Sequence, residues 1–240
     1  MKKRLALPSL FTISNLCCGF LSIFYTMEGR YLPAAWLIVI GAFLDAFDGK
    51  IARLLDAPSE FGNQFDSIAD VCSFGVAPAV LMLSYFQDLM VVRWLPFAIT
   101  CFFLLCGATR LARFNTQLKG FEKADFCGLP IPAAACSLAA FIVFTQRVWT
   151  STHEPQVAVS LCVMLALLMV SNFEYPAFPK VTLETNRDRF RLGMAMVAIV
   201  PLVFYTDESF LPLTLAFALS GPARWLKHQV LGREVADITN

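Results

Sequence analysis

The sequence predicts an all-α integral membrane protein with about eight transmembrane helices. Three observations lead to this prediction. The 240 residues are 58% hydrophobic and only 15% charged, and the mean hydropathy is +0.64. The apolar residues fall in long runs, and a membrane-spanning helix needs about 20 of them. The segments between the runs are short or charged, so the chain leaves no room for a soluble domain of useful size.

Eight apolar runs are candidate spans. The first follows the basic start Lys2-Lys3-Arg4 with no small-x-small cleavage pattern after it, so we expect a retained span and not a signal peptide. Proline or glycine lies at or near the ends of several others, as at Pro33, Pro96, Pro130, Pro155 and Gly221. In chain order the predicted spans are residues 10–27, 31–53, 66–86, 93–114, 129–149, 155–173, 191–206 and 210–228.

The positive charges predict the orientation of these spans. Lysine and arginine near span ends accumulate on the cytoplasmic side. With the amino terminus inside, 16 of the 19 lysines and arginines lie on inner segments, and only Arg30, Arg93 and Arg147 lie on outer ones. Both termini and the segments 54–65, 115–128 and 174–190 are therefore expected in the cytoplasm. The basic inner rim suits anionic lipid or a phosphate-bearing substrate.

Four aspartates and an arginine interrupt the apolar sequence at a regular spacing. The pattern reads Asp45-x-x-Asp48-Gly49-x-x-Ala52-Arg53, eight residues, then Gly62-x-x-x-Asp66-x-x-x-Asp70. A charge at a membrane boundary costs several kcal/mol unless it is paired or bound to a metal. Four acids at this boundary therefore predict a bound cation.

Helical geometry predicts that the two pairs of aspartates meet. Asp45 and Asp48 are three residues apart and Asp66 and Asp70 four apart, so each pair lies on one helical face. The second span ends near Arg53, and the loop 54–65 turns the chain back toward the third span. Four oxygen-bearing side chains at this junction suit Mg²⁺ or Mn²⁺. Two ions could share the carboxylates and bind both oxygens of an in-line phosphoryl displacement.

Small and basic residues nearby fit a phosphate ligand. Gly41, Asp45, Gly49 and Ala52 form one helical stripe, and Gly49 would let a nucleotide or diphosphate approach the backbone. Small residues in a transmembrane helix also serve helix packing. Arg53, one turn beyond, offers a planar fork of donors to a phosphate. Arg110 and Arg113, three residues apart at an inner span end, could hold a carboxylate or phosphate, although orientation alone also explains such arginines.

The motif from Asp45 to Asp70 resembles that of the CDP-alcohol phosphotransferase family at every defined position. The resemblance implies a six-helix homodimeric core at residues 1–175, with residues 176–240 adding two further helices. It implies transfer of a phosphoalcohol group from a CDP-linked donor to a hydroxyl, with release of CMP. Metal ligands would be Asp45, Asp48, Asp66 and Asp70.

Three further stretches resemble the membrane-embedded phosphatidylserine synthases of bacteria and archaea. They are Thr12–Gly19, Ser73–Pro78, and Arg110–Asn115 followed by Gly128–Pro132. The resemblance implies CDP-diacylglycerol and L-serine as substrates and Mg²⁺ or Mn²⁺, two per site, as cofactor. It also implies a prokaryotic inner membrane with the active site in the cytoplasm, and no nucleic-acid partner.

The expected roles follow from matched positions. Asp70 takes the serine proton, and the acceptor side belongs to Arg110 and Arg113. The donor side belongs to Gly49, Arg53, Gly62 and Asn15, although an asparagine in a first span can equally be a helix–helix hydrogen bond.

Two alternatives remain at this point. The acceptor could be glycerol-3-phosphate or inositol, since the acidic core would look the same. A divalent-cation transporter is a more remote alternative, because transporter sites usually lie at the bilayer midplane on broken helices, whereas these acids precede a cytoplasmic turn.

Overall fold

The computed structural model describes residues 2–54, 60–89, 94–117, 128–149, 155–175 and 206–238. Every regular element among them is a helix, which confirms the all-α prediction for this part of the chain. The helices are α1 (Lys2–Met27), α2 (Tyr31–Leu54), α3 (Glu60–Asp70), a π-helix (Val71–Val76), α4 (Ala77–Leu89), α5 (Trp94–Gln117), α6 (Ile131–Arg147), α7 (Pro155–Val170) and α8 (Thr206–Ile238).

A tight turn joins α1 to α2. Gly29 has a φ of +73°, a left-handed conformation that glycine adopts without the steric cost of a Cβ. Its amide donates to the Thr26 carbonyl at 2.9 Å, and the Arg30 amide donates to the Tyr25 carbonyl at the same distance. The two helices then pack along each other, and the Ser22 hydroxyl donates to the Ala34 carbonyl across the contact. This hairpin fixes α1 beside the acidic end of α2.

The third predicted span is one continuous helical segment made of α3, the π-helix and α4. The π-helix follows Asp70 directly and buries Ser73, Phe74 and Gly75. Its wider turn contacts α1, α4 and α5. Single π-turns inside α-helices occur often at functional sites. Here the wide turn begins at the last aspartate of the motif.

The remaining helices enclose an apolar core. After the contact of α1 with α2, the most extensive contacts are those of α5 with α7, α2 with α6, and α6 with α8. Large side chains that are almost fully buried fill the space between them: Phe74, Phe86, Phe103, Leu138, Ile142, Leu165 and Met169. Other large apolar side chains point outward, among them Phe20, Phe97 and Leu105. Outward-facing apolar bulk on long apolar helices is what a lipid environment requires.

Within the described part of the chain, three helical segments are long and apolar enough to cross a membrane: Leu10–Met27, Gln64–Gln87 and Trp94–Thr116. Three shorter apolar helices accompany them, at Tyr31–Phe47, Ile131–Arg147 and Pro155–Val170. These six correspond in position to the six predicted core spans. The predicted span 191–206 lies outside the described residues except for Thr206, and the predicted span 210–228 lies within α8. The count of eight transmembrane helices is not confirmed.

Candidate active site

Three of the four motif aspartates meet at the junction of α2 and α3. One carboxylate oxygen from each of Asp45, Asp66 and Asp70 lies within 4.8 Å of the other two, and all three side chains are half-buried. The spacing of the motif explains part of the arrangement, because residues four apart on α3 share one face, and this face lies beside Asp45 of α2. The side chain of Asp48 lies outside the described residues.

The π-helix is held tightly against α1 just beyond these acids. The Ser73 hydroxyl donates to the backbone carbonyl oxygen of Asn15 at 3.0 Å. A Cβ on Gly19 would stand 2.6 Å from the Ser73 Oγ and 2.7 Å from its Cα, so only glycine allows this approach. The backbone of the segment that follows Asp70 is therefore fixed against the first helix. Ser73 was not predicted as a site residue, although it lies in one of the stretches that carry the family resemblance.

Asn15 is a buried residue of α1 that lies beside the acidic cluster. Its side chain is 0% exposed and next to Asp70, and a Cβ on Gly41 would stand 2.9 Å from its Oδ1. Within the described part of the chain, neither Nδ2 nor Oδ1 of Asn15 has a geometrically acceptable hydrogen-bond partner. An unsatisfied buried amide costs about 1–3 kcal/mol. The Asn15 amide interacts with the neighbouring Asp70 carboxylate but forms no hydrogen bond of good geometry with a described residue, so its contact with the donor substrate stays a prediction.

Arg110 brings a positive charge to the same cluster from α5. It is only 7% exposed, and its charge interacts with that of Asp70. Its guanidinium carbon lies 5.8 Å from the centre of the Phe114 ring, a cation–π distance. Among the described residues, the Nε of Arg110 has no hydrogen-bond partner. The structure thus brings the first of the two predicted acceptor arginines to the acids.

Arg113 makes different contacts, one helical turn further along α5. Its Nη1 donates to the Val170 carbonyl at 3.4 Å and to the Asn172 Oδ1 at 3.2 Å, and its Nη2 donates to the Ser171 carbonyl at 3.2 Å. These acceptors belong to the carboxyl end of α7 and the turn after it, where helical carbonyls lack backbone donors. Arg113 therefore caps α7. Its predicted contact with the acceptor stays a prediction.

A polar contact between α3 and α5 was missed by the sequence analysis. The Asn115 Nδ2 donates to the Ser67 Oγ at 3.0 Å. Ser67 directly follows Asp66, so this bond joins the helix of the arginines to the helix of the acids. A serine beside a motif acid in an apolar span is a weak sequence signal, and only the fold shows what it contacts.

The structure describes the predicted donor-side residues to different extents. Gly62 lies on α3 one turn before Asp66 and is half-buried. Gly49 and Arg53 lie on α2, one and two turns after Asp45. The surroundings of these two residues lie outside the described part of the chain.

The acidic cluster fits a divalent cation. Its donors are carboxylate oxygens, which Mg²⁺ and Mn²⁺ prefer. Asp70 has a buried Oδ1 without a hydrogen-bond partner among the described residues. A buried carboxylate oxygen of this kind is unfavourable unless a cation or a donor reaches it. The chemistry and burial of this donor set therefore agree with the predicted metal site.

The fold and this site define a helical, membrane-type protein with a cluster of acidic side chains beside a buried arginine. The sequence model of CDP-alcohol phosphatidyltransferase matches residues 5–173. The chain therefore belongs to the CDP-alcohol phosphatidyltransferase family.

Proteins of similar sequence carry the names of serine O-phosphatidyltransferases and of an archaetidylserine synthase. A Helicobacter pylori protein named CDP-diacylglycerol–serine O-phosphatidyltransferase is 35% identical over 221 residues, which is 91% of this chain and 90% of the relative. A Bacillus subtilis protein of the same name is 35% identical, covering 74% of this chain and 94% of the relative. The archaetidylserine synthase of Methanothermobacter thermautotrophicus is 35% identical, covering 72% and 70%. The Helicobacter match is longer than residues 5–173, so the similarity continues into the part of the chain that contains α8.

Proposed function

We propose that this protein transfers the phosphatidyl group of CDP-diacylglycerol to the hydroxyl of L-serine, giving phosphatidylserine and CMP. The observation that supports it best is the proximity of Arg110 to the cluster of Asp45, Asp66 and Asp70. Family membership gives the reaction class, and the serine-specific names of the relatives favour serine over glycerol-3-phosphate and inositol.

The reaction is an in-line displacement at the phosphorus that carries diacylglycerol. The serine oxygen forms the new P–O bond, and the bond from that phosphorus to the bridging oxygen of CMP breaks. The serine proton passes to Asp70, whose partly buried carboxylate lies at the centre of the cluster. Asn15 would donate its Nδ2 hydrogen to the donor substrate, which would satisfy that buried amide.

The four motif aspartates, Asp45, Asp48, Asp66 and Asp70, would hold Mg²⁺ or Mn²⁺, with two ions per site. When bound, the metal neutralises the diphosphate and the charge that develops on the CMP leaving group. On the donor side, Gly49 and Gly62 leave room for the cytidine diphosphate, and Arg53 offers its guanidinium to a phosphate.

Arg110 is the proposed contact for the serine carboxylate. It is buried, it is charged at neutral pH, and it has an Nε that no described residue uses. A buried cation with unused donors favours an anionic partner, and the carboxylate is the group that distinguishes serine from inositol. Arg113 completes the acceptor side by its position one turn away.

The proposed arrangement in the cell is a homodimer in the inner membrane of a prokaryote. Six helices of residues 1–175 form the catalytic core, and residues 176–240 add two helices, making eight spans. The active site and both termini face the cytoplasm, where serine and the cytidine moiety of the donor are found. The positive-inside distribution of lysine and arginine supports this orientation.

A parallel acceptor assay tests the proposal. Purified protein in detergent receives CDP-diacylglycerol with Mg²⁺ or Mn²⁺, and serine, inositol and glycerol-3-phosphate are offered separately while CMP and the lipid product are measured. Serine alone should support CMP release. Transfer to another acceptor with serine ignored would contradict the serine assignment, and CMP release with no acceptor dependence would contradict transferase chemistry.

A further inference from the structure

The C-terminal helix α8 lies beyond the part of the chain that the family model matches, yet it is packed onto the core. Near its start, Phe210 stacks on Trp36 of α2, with ring centres 6.0 Å apart and planes 5° apart. Near its middle, Phe217 packs at 6.0 Å against Tyr175, which follows α7. Further on, Trp225 meets Phe173 edge to face at 5.9 Å. The helix therefore contacts both α2 and the chain just after α7.

The contact with Tyr175 is made possible by a proline within α8. Pro222 has no amide hydrogen, so the carbonyl four residues earlier, that of Ala218, loses its helical donor. The Tyr175 hydroxyl donates to this carbonyl at 2.8 Å. Burial raises the pKa of Tyr175 to about 12, so the hydroxyl keeps its proton at neutral pH.

A glycine makes room for the tyrosine ring at the same place. Gly221 is buried against it, and a Cβ there would stand 2.6 Å from the ring Cζ. Tyr175 itself is only 4% exposed. We call the contact of Tyr175 with Ala218 and Gly221, directly before Pro222, the Tyr175 junction. At this point of α8, the Ala218 carbonyl has no backbone donor, and the Tyr175 hydroxyl donates to it instead. The absence of a side chain on Gly221 leaves room for the tyrosine ring.

The residues just before Tyr175 are the ones that hold Arg113. The carbonyls of Val170 and Ser171 and the side chain of Asn172 accept hydrogen bonds from its guanidinium. The Phe173 carbonyl accepts a hydrogen bond from the Gly128 amide at 2.9 Å. Residues 170–175 therefore form a short bridge with Arg113 bound at one end and α8 at the other.

Arg113 and Arg110 lie on the same helix, one turn apart, and Arg110 interacts with Asp70. We propose that α8 positions the two arginines of α5, acting through the Tyr175 junction and the turn 170–175. Tyr175 is thus a positioning residue, since it touches neither the acids nor Arg110. The expected effect on the serine KM rests on the proposed function, whereas the expected effect on the position of α5 does not.

The test combines amide hydrogen exchange with kinetics on the full chain in lipid nanodiscs. Tyr175→Phe removes the donor to the Ala218 carbonyl and keeps the ring. We expect about fivefold faster exchange in the segments 168–175 and 110–117, and a serine KM raised about threefold or more with an unchanged KM for CDP-diacylglycerol. Leu219→Ala, at an exposed position beside the junction, is the matched control and should change none of these values.

A second substitution should reverse the effects of Tyr175→Phe if those effects come from the lost donor to the Ala218 carbonyl. Pro222→Ala restores a backbone donor to the Ala218 carbonyl. In the Tyr175→Phe background it should return exchange and the serine KM to within about twofold of wild type. Gly221→Ala displaces the ring itself, so its effects should resemble those of Tyr175→Phe and should not be rescued by Pro222→Ala.

Three results would overturn the inference. The first is exchange in Tyr175→Phe that rises in 168–175 but not in 110–117, because the junction would then act only locally. The second is a serine KM that stays at the wild-type value while both segments exchange faster. The third is a double variant with no rescue. If wild-type protein transfers nothing to serine, the proposed function fails, and the exchange results still decide whether α8 positions α5.

Discussion

The side chains of Asn115 and Ser67 join α5 to α3 at the candidate site by a hydrogen bond of 3.0 Å. Ser67 lies beside Asp66 on α3, and Asn115 lies on the helix that carries Arg110. A bond between polar groups in an apolar bundle fixes the relative position of the helices that carry them. The bond therefore helps to fix the distance between Asp66 on α3 and Arg110 on α5.

The first prediction concerns the acidic cluster. Asp66→Asn and Asp70→Asn should each reduce phosphatidyl transfer about a thousandfold or more, because the metal-assisted charge stabilisation that depends on these carboxylates contributes several kcal/mol. Each variant should remain folded, as judged by its elution as a single species in detergent. Glu28→Gln, at an exposed acid in the turn between α1 and α2, is the control and should keep its activity. Near-wild-type turnover in either aspartate variant would remove the mechanism.

The second prediction concerns Asn15. Asn15→Leu replaces an unsatisfied buried amide with an apolar group of similar size, a change that should leave the melting temperature equal or higher. If the amide binds the donor, the KM for CDP-diacylglycerol should rise about tenfold, corresponding to ~1.4 kcal/mol, and the KM for serine should stay constant.

The neighbouring Ser14 supplies the control for Asn15. Its hydroxyl donates to the Leu10 carbonyl of its own helix at 2.8 Å, so Ser14→Ala should change neither constant. A large fall in the melting temperature of Asn15→Leu with an unchanged KM for the donor would make Asn15 a structural residue.

Hydrophobicity and charge spacing were enough to predict the positions of six apolar helices and the meeting of three of the four acids. The six predicted core spans fall on apolar helices, and the motif spacing brings Asp45, Asp66 and Asp70 together. The π-helix at Val71–Val76 was missed because a π-turn differs from an α-turn by one residue and leaves the apolar pattern of a buried helix intact. The contacts of Arg113 were missed because its acceptors lie 57 to 59 residues away in the chain. Contacts of that range depend on packing, which no local pattern encodes.

The third prediction concerns orientation in the membrane. The charge distribution predicts that residues 54–65 and 174–190 lie in the cytoplasm. A cysteine introduced at Ser59 or Thr185, both outside the described residues, should resist an impermeant thiol reagent in intact cells. The background needs the native cysteines replaced, since seven free thiols are found in the described part of the chain alone. Cysteine at Arg30, in the predicted outer turn, should react readily. Labelling of Ser59→Cys from outside would invert the orientation.

The last prediction separates the two arginines of α5. Lysine at either position keeps the charge but loses the planar fork of donors. Arg110→Lys should raise the serine KM about tenfold, or ~1.4 kcal/mol of recognition, with a much smaller effect on CDP-diacylglycerol. Arg113→Lys should raise the serine KM by a similar factor and also lower the melting temperature, since lysine cannot satisfy the three acceptors at Val170, Ser171 and Asn172 with the same geometry.

Arg147→Lys, at an exposed position at the end of α6, is the control for charge-preserving substitution and should leave both constants unchanged. If both α5 variants lose affinity for CDP-diacylglycerol and keep the serine KM, the arginines serve the donor phosphates. A different result would separate the two residues: Arg110→Lys raises the serine KM, whereas Arg113→Lys lowers the melting temperature and leaves the serine KM unchanged. Arg113 would then act only as the cap of α7, and Arg110 alone would bind the serine carboxylate.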